Sequence, residues 1–102
     1  MNKLPLADIR VIDFSWIGAG SYATKILADL GADVIKIESS TRLDSLRMAA
    51  PYRDGIPGVN RSGYFADRNT SKRSMTLDMK HPEALGLVSK LIAQILGRHV
   101  VA

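Results

Sequence analysis

The residues with the clearest chemical potential lie between Ile9 and Glu38, in the run IRVIDFSWIGAGSYATKILADLGADVIKIE. Gly18-Ala19-Gly20-Ser21-Tyr22-Ala23 matches the G-x-G-x-x-G/A pattern of a nucleotide-binding turn. Small residues there let backbone N–H groups approach a phosphate at the start of a helix. Glu38 follows Gly18 by twenty residues, the separation at which dinucleotide-binding proteins place an acid on the ribose hydroxyls. The same pattern also describes a tight strand-to-helix connection with close packing. This stretch alone does not choose between the two.

Other candidates are weaker. Asp13 and Glu38 invite a paired-carboxylate reading, with one acid protonated and one ionised. Strand-end acids more often hydrogen-bond adjacent loops, and that is the expectation here. His81 precedes Pro82 and reads as a residue leading into a helix, while His99 has no partner at ligand spacing. With no cysteine in the chain, thiolate catalysis, disulfides and thiolate metal sites are excluded, and no metal site is expected. Trp16, Tyr52, Tyr64 and Phe65 can stack on bases, although scattered aromatics more often pack into cores.

These residues need elements to hold them. Ile9, Val11, Ile12 and Phe14 have the composition of a buried parallel strand. Tyr22, Ile26, Leu27 and Leu30 recur at helical spacing, and Gly31 is placed for a left-handed cap. Val34, Ile35 and Ile37 form a second strand. Residues 39–63, with Pro51, Gly55, Pro57, Gly58 and Gly63, read as a long loop with a helical turn across Leu43–Ala49. Ser74–Leu77 is a strand candidate in which Met75 and Leu77 share a face. Pro82-Glu83 then opens a helix, with Leu85, Val88, Leu91 and Ile92 on one face. Gly97 is its expected stop, and His99–Val101 begins a further strand. Strand and helix in alternation predict an α/β fold with a Rossmann-like parallel β-α-β segment.

At 102 residues and 46% hydrophobic content, the chain suits one compact domain. No apolar run approaches a membrane span, no secretory segment opens the chain, and a cytoplasmic location is the default. The net charge of +4 suits a phosphorylated ligand, a nucleic acid or a merely solvated basic surface.

Three pieces in order resemble the family III CoA-transferases: Val11-Ile12-Asp13-Phe14-Ser15 running into Gly18-Ala19-Gly20, then Leu27 to Glu38, then Asn69 to Lys80 with Pro82-Glu83 after it. The resemblance runs from about Leu6 to Gln94 and fades beyond. It implies the N-terminal CoA-binding portion of a longer, homodimeric protein that moves CoA from an acyl-CoA to a carboxylic acid. In that family an aspartate attacks the thioester and forms a mixed anhydride. CoA returns to give an aspartyl-CoA thioester, and a second carboxylate then accepts it. The nucleophile is expected beyond Ala102, so no residue here is assigned a catalytic role. Truncation, a shifted reading frame or an isolated domain would each produce the departing end, Ile95 to Ala102.

The resemblance further implies that Ile17, Gly18 and Ala19 approach CoA, as do Leu77, Asp78, Met79 and Lys80. Lys80 can offer charge to a phosphate, and the apolar parts of Leu77 and Met79 can flank adenine. CoA enters as substrate, with no other cofactor, and neither nucleic acid nor membrane is an expected partner. Many family members carry arginine directly after the acid ending the second strand. Here Ser39 stands there and the next basic residue is Arg42, so that cationic contact is missing or displaced. Lys72 and Arg73 match the motif and are expected to position the loop through exposed carboxylate pairs, worth about 0–1 kcal/mol each. The alternatives are an α-methylacyl-CoA racemase-type fragment, an NAD-binding oxidoreductase segment with Glu38 on the ribose, and a catalytically inactive interaction fragment.

Overall fold

The computed structural model describes residues 3–94 and 99–101. Strands β1 (Arg10–Asp13), β2 (Asp33–Glu38), β3 (Arg73–Thr76) and β4 (His99–Val101) form one sheet in the order β3-β2-β1-β4. Every pairing is parallel, as expected. Helices α1 (Ala19–Asp29) and α3 (Ala84–Ala93) cover opposite faces, and the short α2 (Gly63–Arg68) lies beside α1.

The register explains why β1 and β2 are apolar throughout. Val11 pairs with Val34, and Ile12 with Ile35. Because side chains alternate across a strand, the valines share one face with Ala28 and Ala32 of the α1 layer. The isoleucines, with Ile37, meet Val88 of α3 on the other face. A slip by one residue would exchange the two cores, so the register is tightly specified. Met75 and Leu77 pack against the α3-side core, on the shared face anticipated for them.

Two expected helix faces need correction. In α1, Leu27 packs inward, but Tyr22, Ile26 and Leu30 lie 42–48% exposed. The buried positions are Ser21, Thr24 and Ala28, a stripe of small residues. The cause is a hydrogen bond from Thr24 Oγ1 to the buried Asp13 carboxylate at 2.8 Å, which needs the helix close to the strand end. In α3, Ala84 and Val88 are buried and Leu91 and Ile92 pack against the core, whereas Leu85 is 71% exposed. Leu85 shares the side of the helix that carries Val88 and Ile92, but it stands in the first turn of α3, so its exposure is set by its place along the helix and not by the apolar period.

Between β2 and α2 the backbone makes two 3₁₀ turns, Ser45–Met48 and Arg53–Gly55. The first lies inside the helical turn expected over Leu43–Ala49. Helix α2 has no strong apolar period in the sequence. Its local signal is Ser62, whose hydroxyl caps Phe65 N–H at 3.1 Å while donating to Ala49 O. His81 leads into α3 as expected, its Nδ1 accepting Glu83 N–H at 3.1 Å. The expected stop at Gly97 lies outside the described residues.

Gly31 ends α1 in the anticipated left-handed conformation, with φ +108°. Gly31 N–H donates to Ala28 O and Ala32 N–H to Leu27 O, the paired bonds of a Schellman motif. A Cβ at Gly31 would also lie 2.5 Å from Leu4 Cβ. Gly31→Ala is therefore expected to destabilise the protein by about 1 kcal/mol or more, read as a lowered urea midpoint at unchanged m-value.

Candidate ligand-binding site at the carboxyl ends of the strands

A layer of buried charge closes the strand ends on the α1 side. Asp13 and Lys36 are register partners, yet each pairs with a residue delivered by a loop. Asp13 meets Lys72 Nζ at 2.9 Å, with side chains 0% and 2% exposed. Lys36 Nζ meets Asp44 at 2.8 Å, at 3% and 0%. The expectation of exposed pairs fails at Lys72: its ammonium is enclosed, and its remaining hydrogen bonds go to Asn69 Oδ1 and Ser21 O. Arg73 alone fits that expectation, forking onto Asp33 from the surface.

At the end of β2, Glu38 receives both Arg47 Nε and Nη2, at 2.9 and 2.7 Å, and Asp44 N–H at 2.7 Å. This is the loop-holding role expected for the strand-end acids. Asp13 does likewise, accepting Ser15 N–H at 2.8 Å. The NAD reading required Glu38 to grip a ribose. Its carboxylate is 6% exposed as a residue and fully engaged, so that contact is closed.

Burial works against the ionisation of these acids and is outweighed at each. Ser15 and Lys72 hold Asp13 below its usual pKa; Lys36 and two amides do so for Asp44, and Arg47 for Glu38. Asp33 is held down by Arg73 and Arg10 against the same penalty. Burial draws the Lys72 ammonium down from its usual value, with Asp13 pulling the other way.

Beyond this layer lies a cleft of about 220 Å³. Phe14, Ile37 and Leu77 form its apolar floor, and Trp16 a wall. Asp78, Met79 and Lys80 form the far rim, shaped by Asp78 Oδ1 accepting Lys80 N–H at 2.9 Å. Glu38, Ser39 and Arg42 complete the lining. The cleft therefore sits over the ends of β1, β2 and β3. The sheet order reverses one strand away, between β1 and β4.

The structure divides the sequence-predicted residues. Leu77, Asp78, Met79 and Lys80 lie together in the cleft. Gly18 and Ala19 line a separate shallow depression with Tyr22, Tyr64 and Arg68. Ile17 stands at the intervening bend, 52% exposed, at φ +61°, with its N–H held by Asp44. For a β-branched residue that conformation costs about 1–3 kcal/mol and persists because Asp44 and the loop fix it. The bend is open: a Cβ at Gly18 would meet nothing within 4 Å, whereas one at Gly20 would lie 2.8 Å from Ser15 Cβ. Gly20 thus serves close packing, and steric crowding does not demand glycine at Gly18. Sequence reasoning missed Phe14, Trp16, Ile37, Ser39 and Arg42 as cleft residues. The available signal was that all five lie within two residues of a strand's carboxyl end or in the turn after it.

Two outcomes follow from the buried layer. Lys72→Met, which strands the Asp13 carboxylate, should cost about 3 kcal/mol in urea unfolding, and adding Asp13→Asn should recover part of it. Asp13, Asp44 and Glu38 of this layer, with Asp33 at the start of β2, are held below their unfolded values, so their stabilisation is complete above about pH 4 and lost as pH falls through the lower folded-state values. The urea midpoint should hold between about pH 7 and pH 5, then drop steeply below about pH 4.

Residues 6–95 match the family model described as CoA-transferase family III. Over 93 residues the chain is 41% identical to a succinate–glutarate CoA-transferase of Agrobacterium fabrum, covering 89% of this chain and 23% of that relative. It is 40% identical over 87 residues to a formyl-CoA:oxalate CoA-transferase of Bradyrhizobium diazoefficiens, covering 85% and 20%. Among solved structures, a CaiB/BaiF family protein from Brucella suis superposes with a TM-score of 0.74 at 35% identity, over 91% of this chain and 24% of that one. The chain spans about a quarter of that structure and less of the curated relatives. With the model match running through β1, α1, β2, β3 and α3, this protein belongs to CoA-transferase family III.

Proposed function

We propose that this chain contributes the nucleotide-binding surface of a CoA-transferase that passes CoA from an acyl-CoA to a carboxylic acid. The observation behind the reading is the cleft at the ends of β1–β3. It combines an apolar floor with two cationic side chains, Arg42 and Lys80, that form no ion pair among the described residues. Such a combination suits a purine held on one side and its phosphates on the other. Leu77 and Met79 flank the base, Lys80 meets a phosphate, and the open bend at Ile17-Gly18-Ala19 lies against the rest of the carrier.

Neither the acids of the buried layer nor Asp33 at the start of β2 is assigned as nucleophile. Asp13, Asp44, Glu38 and Asp33 are each committed to a cation, and a carboxylate that attacks a thioester must be free to reach it. The chemistry of transfer belongs to residues outside this chain. The named relatives handle succinate, glutarate and oxalate, so the acceptor in the reading proposed here is a short carboxylic acid. Homodimerisation of the full transferase and a cytoplasmic site of action complete the proposal. No helix among the described residues is long and apolar enough to cross a membrane.

Calorimetric titration of the chain with CoA tests the reading directly. Saturable binding at or below millimolar ligand is expected. Lys80→Ala should weaken it by about tenfold and flatten its salt dependence. A folded sample that takes up no CoA, or one protected from heat by NAD and not by CoA, would overturn it.

A further inference from the structure

The geometry points to Arg42 as the phosphate-gripping cation of this cleft, delivered by a four-residue turn into the place left vacant by Ser39. This rests on the CoA reading above. It assigns a binding residue where the sequence left the contact either missing or displaced, since the position after the strand-end acid is serine.

The turn itself is well defined. Arg42 N–H donates to Ser39 O at 3.1 Å, and the return bond from Ser39 N–H to Arg42 O is 3.4 Å. Ser39 Oγ accepts Arg42 N–H at 3.0 Å and lies 3.1 Å from Thr41 Oγ1. Ser39 is 8% exposed, so its hydroxyl is spent on the turn and is poorly placed to reach a ligand. The same bonds bring the Arg42 backbone beside Ser39, and its side chain joins the cleft lining.

Arg42 is then held in place without being neutralised. Its guanidinium carbon lies 5.6 Å from the centre of the Trp16 ring. A ring face orients a guanidinium while leaving its N–H donors free for planar oxyanions. The other arginine at this end of the sheet, Arg47, is bound to Glu38, Val59 O and Asn60. Two carboxylates also line the cleft. Glu38 is neutralised by Arg47, and Asp78 spends one oxygen on the Lys80 amide. Arg42 and Lys80 therefore flank the cleft from two different connections, one after β2 and one after β3.

The test uses the whole chain and its single tryptophan. Trp16 lines the cleft, so its fluorescence reports occupancy at this site in particular. Wild type, Arg42→Ala, Arg42→Lys and Arg42→Ala/Ser39→Arg would be titrated with CoA, dephospho-CoA and pantetheine. Arg42 is exposed and absent from the core, so circular dichroism and melting should match wild type in Arg42→Ala and Arg42→Lys. Arg42→Ala is expected to weaken CoA by about tenfold or more, with Arg42→Lys intermediate. Pantetheine, which has no phosphate, should be unaffected. A loss confined to CoA places the contact on the ribose phosphate, and a loss shared with dephospho-CoA places it on the diphosphate. Recovery of affinity in Arg42→Ala/Ser39→Arg would establish that one cation substitutes for the other. Wild-type binding with Arg42→Ala unchanged within about twofold overturns the inference and leaves the CoA reading standing. Absence of wild-type binding overturns the CoA reading itself.

Discussion

Charge buried at the carboxyl ends of the parallel strands is the constraint on which the rest of this molecule depends. Asp13 of β1 and Lys36 of β2 face the same side of the sheet as register partners. Instead of closing on each other, they take their counter-ions from Lys72 and Asp44 in the loops. An uncompensated charge at such a site would cost several kcal/mol, so each loop must return to one position to deliver its partner. Such pairs are a poor source of net stability compared with apolar packing. What they supply is placement: the segment before β3 and the segment after β2 have one arrangement that satisfies both.

The same layer explains the ordering of a long stretch with little repetitive structure. Arg47 joins the end of β2 to Val59 and Asn60, with its guanidinium 3.8 Å from the Phe65 ring centre. Asp44 reaches three ways, to Lys36 and to the Ile17 and Leu46 amides. Ile17 is held in a conformation it would otherwise avoid, and the bend before α1 stays open as a consequence. Structural charge on the α1 side and spare charge on the cleft side are thus two results of one distribution. The inner cations are matched, and the two at the cleft, Arg42 and Lys80, form no ion pair among the described residues.

Local sequence was a good guide wherever one residue's own geometry decides the outcome. The apolar runs of β1 and β2, the Gly31 cap and the start of α3 are read from backbone preference and side-chain alternation. The roles of Asp13 and Glu38 in holding loops were legible too, because a strand end leaves nearby amides without partners. The faces of α1 and α3 were not. Tyr22, Ile26, Leu30 and Leu85 are apolar at helical spacing, but a bond between Thr24 and Asp13 rotates the small face of α1 toward the sheet. Periodicity states that a helix has an apolar stripe without stating which neighbour will claim it.

The sequence by itself determined the family and the parallel α/β order, because strand composition, turn residues and motif order are properties of consecutive residues. Only the tertiary structure decided that Leu77–Lys80 and Gly18–Ala19 occupy different hollows, that Lys72 is enclosed, and that Trp16 and Arg42 line one cleft with Lys80. Those facts depend on contacts between residues that are remote along the chain. Pairing energy and loop closure fix such contacts, and neither leaves a local mark in the order of amino acids.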